Sequence, residues 1–312
     1  MAAHGSKKVI YAALLGNGLI AITKFIASAI TGSSAMLSEA IHSVVDTGNQ
    51  GLLLYGIKRS NRPTDERHPF GYGMEIYFWS FVVAILIFAI GAGISIYEGV
   101  HKLQHPEEIR SPYINYIVLT LAMIFEGVAW TIAYKEFNKV RGSQGIFEAV
   151  RHSKDPTVFT VLFEDTAAML GLIVALIGIL AASEFGLSWG DGLASICIGI
   201  ILAATAVLLA YETKALLIGE AAAPELINAI KERTLSRQTI LHINEIRSMH
   251  MGPNDILLAL SVDFQDDITA GDVEQKIATL EQEIKTAHPE VKHLFIEVQS
   301  KTAHEADINT QG

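Results

Sequence analysis

The sequence predicts an α-helical membrane protein, with six transmembrane helices followed by a small C-terminal α+β domain. Three observations lead there. Half of the 312 residues are hydrophobic, and the mean hydropathy is +0.35. Six mainly apolar runs recur, at roughly 9–31, 35–57, 75–100, 113–134, 158–182 and 191–213, each near the ~20 residues that cross a bilayer as a helix. Beyond about residue 214 the chain turns charged and periodic, as a water-facing domain does. The expected division is a tail at 1–8, a transmembrane region at 9–213, a folded domain at 214–300 and an unstructured end at 301–312.

The first run follows Lys7 and Lys8 and contains "ASA" at 27–29, which superficially resembles a cleavable leader. Lys24 interrupts its apolar stretch and five more runs follow, so it is read as a span that is kept. Basic residues mark the loops after runs two and four: Lys58, Arg59, Arg62 and Arg67, then Lys135, Lys139, Arg141, Arg151 and Lys154. The loops after runs one and five, "TGSSA" and "ASEFGLSWG", have none, and the loop after run three has only Lys102 and Arg110. The positive-inside rule then puts the basic loops and both termini in the cytoplasm, in an orientation expected of a bacterial inner membrane.

In the C-terminal part, "PELINAIKERTL" (224–235) has helical periodicity, while "HINEIRSMHM" (242–251) and "DILLALSVDF" (255–264) alternate as strands around a "GPND" turn. Thr269 caps a helix with Asp272 as its box partner, and "VKHLFIEVQS" (291–300) closes an α-β-β-α-β order with helices on one face of a sheet. The formal net charge is −10 with no basic block, which argues against nucleic acid as a partner. One cysteine, Cys197, excludes an internal disulfide and a CxxC metal site. There is no HExxH, "HEADI" having Ile308 where the second histidine belongs, and no GxxxxGK[ST] phosphate loop.

The second run is the anomaly. "SEAIHSVVDTGNQ" (38–50) places Glu39, His42, Asp46 and Gln50 at spacings of 3, 4 and 4, hence on one face of a helix inside the bilayer. Intramembrane ionisable groups usually face a bundle interior or a watery path. His42 and Asp46 make half of an N/O metal site suited to Zn2+ and permissive of Mn2+, Fe2+ or Co2+. Packing alone would explain one His–Asp pair. It explains less well a second cluster, Glu164 and Asp165 in "TVLFEDTAAML", with Asn17 and Glu126 on two further runs. The rival is a membrane scaffold or receptor whose buried polar groups are structural. "RHPFGYG" (67–73) reads as a glycine-rich turn that lets two helices approach, and Asp65 with His68 as a solvated pair or weak peripheral metal site.

With these residues placed, the chain resembles the cation diffusion facilitator family of divalent-metal/proton antiporters, over nearly its whole length. "SEAIHSVVDTGNQ" resembles that family's span-two signature, "HPFGYG" its approach to span three, and "DGLASICIG" (191–199) its span-six start. "LFEDTAA" is similar to the zinc transporter 9 branch. The resemblance implies export of a divalent cation, Zn2+ foremost, in exchange for protons. It also implies a ferredoxin-like cytoplasmic domain that forms a homodimer. The intramembrane ligands carry over as His42, Asp46 and Asp165. The family's span-five histidine, four residues before the Asp, is Val161 here, so a fourth ligand must be found elsewhere: Glu164, with Glu126, Asn17 or water behind it. Metal sites in the cytoplasmic domain are implied too. His242 and, with a one-residue shift, Asp263 stand at such positions, but Glu297 and Gln299 replace an expected histidine and acid.

Overall fold

The computed structural model describes residues 3–311 apart from 107, 142–144, 146–148 and 151–152. Arg151 and the terminal residues 1, 2 and 312 therefore lie outside the described residues. Two compact units emerge, one from residues 1–58 and 76–214, the other from 59–75 and 215–312.

The first unit is helical: α1 (Ala3–Thr31), α2 (Ser34–Ser60), α3 (Glu75–Gln104), α4 (Pro112–Arg141), α5 (Pro156–Ser183) and α6 (Gly190–Ile218). Among the described residues, α3, α4, α5 and α6 each contain a stretch long and apolar enough to cross a membrane, and α1 contributes the shorter apolar stretch Asn17–Thr31. The polar residues Glu39, His42, Asp46, Asn49 and Gln50 dilute the hydropathy of α2, the helix that holds the anomalous stretch.

Exposed apolar side chains form stripes at helical spacing. On α4 they are Ile117, Leu121, Ile124, Val128 and Ile132. In water such stripes would be unusually large open patches; against lipid they are the expected face. The interior is packed by Met36, Leu119, Phe159, Leu172, Ile179, Ile198 and Leu202, all nearly fully buried. Local chemistry sets the helix starts. Pro156 opens α5, with the Asp155 carboxylate accepting from the Thr157 N–H at 3.0 Å. Asp191, at the start of α6, accepts from the Ser33 hydroxyl at 2.6 Å and the Ser34 N–H at 2.7 Å, and so caps α2 from another helix. Within α3, residues Ile87–Ala92 wind as a π-helix, the Gly93 N–H reaching the Phe88 carbonyl. Beyond it Gly99 lies so close to Gly192 and Ile196 of α6 that a Cβ there would stand 2.7 Å from the Gly192 carbonyl oxygen.

The second unit has α7 (Pro224–Leu235), β1 (Ile240–Gly252), β2 (Asp255–Phe264), α8 (Ala270–Ala287), β3 (Val291–Val298) and α9 (Lys301–Gln311). The sheet order is β1-β2-β3, with β1 antiparallel and β3 parallel to β2. Alternate β2 residues Ile256, Leu258, Leu260 and Val262 are buried in one apolar cluster with Ile230 of α7 and Leu280 and Ile284 of α8. The capping box of Thr269 and Asp272 forms as expected.

Two features of this unit differ from the sequence expectations. The terminal residues, read as unstructured, form α9. The Lys301 N–H donates to the Asp263 carboxylate at 3.1 Å and Gln299 Nε2 to Asp307 at 2.8 Å, so the strand end supplies partners that a free tail would lack. The α2–α3 linker, 59–75, also belongs here. Phe70 meets the His293 ring edge-on at 5.2 Å and Phe295 at 6.3 Å. Gly73 abuts the backbone of Met251 and Gly252 with no room for a Cβ, and Gly71 takes φ +86°. The glycines of "RHPFGYG" thus admit the β1–β2 turn rather than a second helix. Within the linker Arg59 donates to Glu75 at 2.7 Å and Arg62 lies over the Tyr72 ring at 4.8 Å. The Tyr72 hydroxyl donates to Asp65 at 2.5 Å. That bond, with the His68 N–H next in weight, holds the Asp65 carboxyl down at about 2.

Candidate metal centre

Helix α2 turns its polar stripe inward because α1 and α5 supply partners there. His42 Nδ1 lies 3.4 Å from Asp46 Oδ1, one helical turn on. Both His42 ring nitrogens and Asp46 Oδ1 are buried without a hydrogen bond. A buried polar group without a hydrogen bond ordinarily costs about 1–3 kcal/mol. On α5, Glu164 is buried and its Oε1 accepts from Asn49 Nδ2 at 2.8 Å, bridging α2 to α5. Asp165, next along, is partly buried. The carboxyls of Glu164, Glu126 and Asp165 are all within electrostatic reach of Asp46. Glu126 is buried on α4, which is tied to α5 by the Trp130 indole N–H donating to Thr166 at 3.0 Å.

The structure therefore brings His42 and Asp46 together and sets Glu164 and Asp165 across from them. It does not gather all four into one coordination shell: among the described residues, no three His, Cys, Asp or Glu side chains are close enough to hold a metal ion. Two relationships lie beyond the sequence reading. Lys24, the residue that interrupts the first apolar run, donates from Nζ to Glu39 Oε2 at 3.0 Å and to Ser43 at 2.8 Å. Asn49 went unnoticed. The signal was its place seven residues after His42 on the same helix face. Asn17 is half-buried on α1.

The peripheral candidates are otherwise engaged. His68 and Asp65 form an exposed pair at 3.3 Å inside the linker turn. His242 does face Asp263 in the β1–β2 register, but Asp263 accepts from the Lys301 N–H, and Gln299 bonds Asp307 and His304.

Comparison with known proteins settles the class. The profile of the cation efflux transmembrane domain matches residues 10–218. The chain belongs to the cation efflux family. The mitochondrial proton-coupled zinc antiporter SLC30A9 of Xenopus laevis is 32% identical over 94% of the chain, and its Homo sapiens counterpart 33% identical over 94%. The chain spans 60% and 52% of those two proteins, respectively. The manganese efflux system protein MneP of Bacillus subtilis is 24% identical over 94% of the chain and 95% of its own length. The profile match bears out the family resemblance read from spans two, three and six, and the SLC30A9 relatives bear out the zinc transporter 9 branch read from "LFEDTAA". It makes the chain a multi-pass membrane protein of a transporter family, not an enzyme family.

Proposed function

We propose that the protein is a secondary transporter that moves a divalent cation, Zn2+ foremost, out of the cytoplasm in exchange for protons. The observation that carries this reading is the set of orphaned atoms on His42 and Asp46, buried among further carboxyls. Among the described residues, the carboxyl groups of Glu39, Asp46, Glu126, Glu164 and Asp165 share this interior with the ammonium of Lys24, and such a concentration of oxygen donors around an imidazole suits a divalent cation. His42, Asp46 and Asp165 serve as ligands, and Glu164, one oxygen of which is free of Asn49, completes the set when α2 and α5 close on the ion. An imidazole ligand favours Zn2+ over Mn2+. Metal binding requires the deprotonated ligands, so protons arriving from the far side release the ion. The family relatives with zinc and proton coupling in their names support this assignment, while the manganese relative keeps Mn2+ as the second substrate.

The basic loops support cytoplasmic termini, and the Bacillus subtilis relative of matching length supports a bacterial inner membrane. Two copies paired through the cytoplasmic domain complete the reading, as the family resemblance implies.

The deciding experiment is metal uptake by proteoliposomes under an imposed pH gradient, with Asp46→Ala beside the wild type. We expect gradient-driven Zn2+ flux in the wild type and none in a folded Asp46→Ala protein. Full flux in that variant would rule out the site, and flux indifferent to the gradient would rule out antiport.

A further inference from the structure

Lys24 and Glu39 are both 0% exposed, and the ligand set proposed above uses neither. A buried ion pair is a poor device for stability alone, since desolvation offsets most of its attraction. Its position suggests a purpose. Glu39 precedes His42 by 3 residues and Asp46 by 7, about 4.5 and 10 Å along α2 at ~1.5 Å per residue. Both steps run toward the end of α2 that Asp191 caps, away from the Lys58–Arg59 end. With the basic end in the cytoplasm, Glu39 lies on the outward side of the cation site. The same side chains connect the two places, because Lys24 Nζ also donates to Ser43, the neighbour of His42.

The Glu39 carboxylate is only half used. Oε2 takes the ammonium at 3.0 Å, whereas Oε1 is buried with no hydrogen bond. Oε1 rests against Gly171 of α5, where any Cβ would collide with it. Gly171 follows Asp165 by 6 residues, so it too lies outward of the site along α5. The glycine opens a notch in the helix that carries Asp165, and an acid from the helix that carries His42 fills it.

We propose that Glu39 is a second station for the transported divalent cation on its outward path, and that Lys24 is a tethered cation that occupies this station whenever the metal does not. Metal and ammonium compete for one carboxylate. Lys24 therefore yields as the ion moves outward and returns to Glu39 behind it, which prevents the ion from falling back. Two ligands linked in this way typically shift each other's affinity by about 5–150-fold. The inference rests on the transport reading above.

The test uses the full chain, with Zn2+ alone as probe, in calorimetry and in proteoliposome flux. Lys24→Met frees Glu39, so this variant should hold a second Zn2+ equivalent that the wild type lacks and should release metal at least about fivefold more slowly. That second equivalent should vanish in Lys24→Met/Glu39→Gln. Glu39→Gln alone keeps an oxygen for the Lys24 ammonium and so preserves packing. It should lower flux while leaving one Zn2+ bound at His42 and Asp46. Lys24→Arg should restore wild-type stoichiometry. Wild-type flux in a folded Glu39→Gln protein overturns the proposal, even if Lys24→Met fails to fold. So does an unchanged metal count in a folded Lys24→Met protein. Failure of the underlying reading looks different: Asp46→Ala would then transport normally.

Discussion

Asn49 of α2 donates its side-chain amide to Glu164 of α5 at 2.8 Å. This bond joins the helix of His42 and Asp46 to the helix of Asp165. It also fixes one carboxylate oxygen of Glu164, and in the proposed site the other is the one offered to metal. Glu164→Gln should keep the Asn49 bond, because an amide oxygen still accepts. It should nevertheless lower Zn2+ affinity about as far as Asp165→Asn does, roughly 10–100-fold. Calorimetry on the two variants decides the matter. Unchanged affinity in Glu164→Gln, beside a large loss in Asp165→Asn, would reduce Glu164 to an anchor for Asn49.

Val161 stands one turn before Asp165, partly buried against the apolar interior. Val161→His should raise Zn2+ affinity and widen the preference for Zn2+ over Mn2+, since imidazole suits zinc better. Competition between the two ions in a flux assay reads this directly. A folded variant with unchanged preference would show that residue 161 does not face the ions.

Gly73 has no space for a side chain beside Met251 and Gly252. The obstacle is backbone, which cannot swing aside as a flexible side chain can. Gly73→Ala should therefore lift the linker from the β1–β2 turn, costing about 1–3 kcal/mol, as overpacking of a close contact does. Hydrogen exchange should accelerate across 59–75 and leave α8 unaffected. Equal protection in variant and wild type would contradict a docked linker.

Asp65 titrates near 2, below the ordinary ~3.9, and the Tyr72 hydroxyl is the first cause. A depressed carboxyl contributes its stabilisation above the unfolded value and loses it as pH falls through the folded value. The linker turn should accordingly hold at neutral pH and loosen between about pH 4 and 2. Tyr72→Phe should move the Asp65 titration, followed by carboxyl NMR, up toward ~3.9. A titration that stays near 2 would assign the effect to the His68 and Arg67 amides instead.

Much of this architecture was legible because its signals are local. Apolar run length reports helices α3 to α6, the Thr269–Asp272 box reports the start of α8, and alternation around "GPND" reports β1 and β2. His42 and Asp46 share a helix face by spacing alone. The pairing of Lys24 was not legible, because whether α1 offers its lysine to Glu39 or to Glu164 depends on how α1 packs, and periodicity carries no such information. Asn49 was overlooked for a related reason: a carboxamide looks inert until a carboxylate from another helix is set against it. The linker misled in a third way. Gly71 and Gly73 do mark a close approach, but composition cannot say what approaches. The tail at 301–311 is polar enough to read as free chain, and its helix depends on partners supplied by Asp263 and Gln299.

The π turn at Ile87–Ala92 gives α3 an unusual tolerance for change in length. A π turn holds one residue more than the α turn it replaces, so it amounts to an insertion absorbed within a single coil. Removing one residue inside it would restore a regular helix while both flanking halves kept their facing. Removing one anywhere between Gly93 and Gly99 would instead turn Gly99 by ~100° and bring a side chain against the Gly192 carbonyl. Shortened descendants of this chain should therefore lose their residue between 87 and 92, and an alignment gap in α3 belongs there.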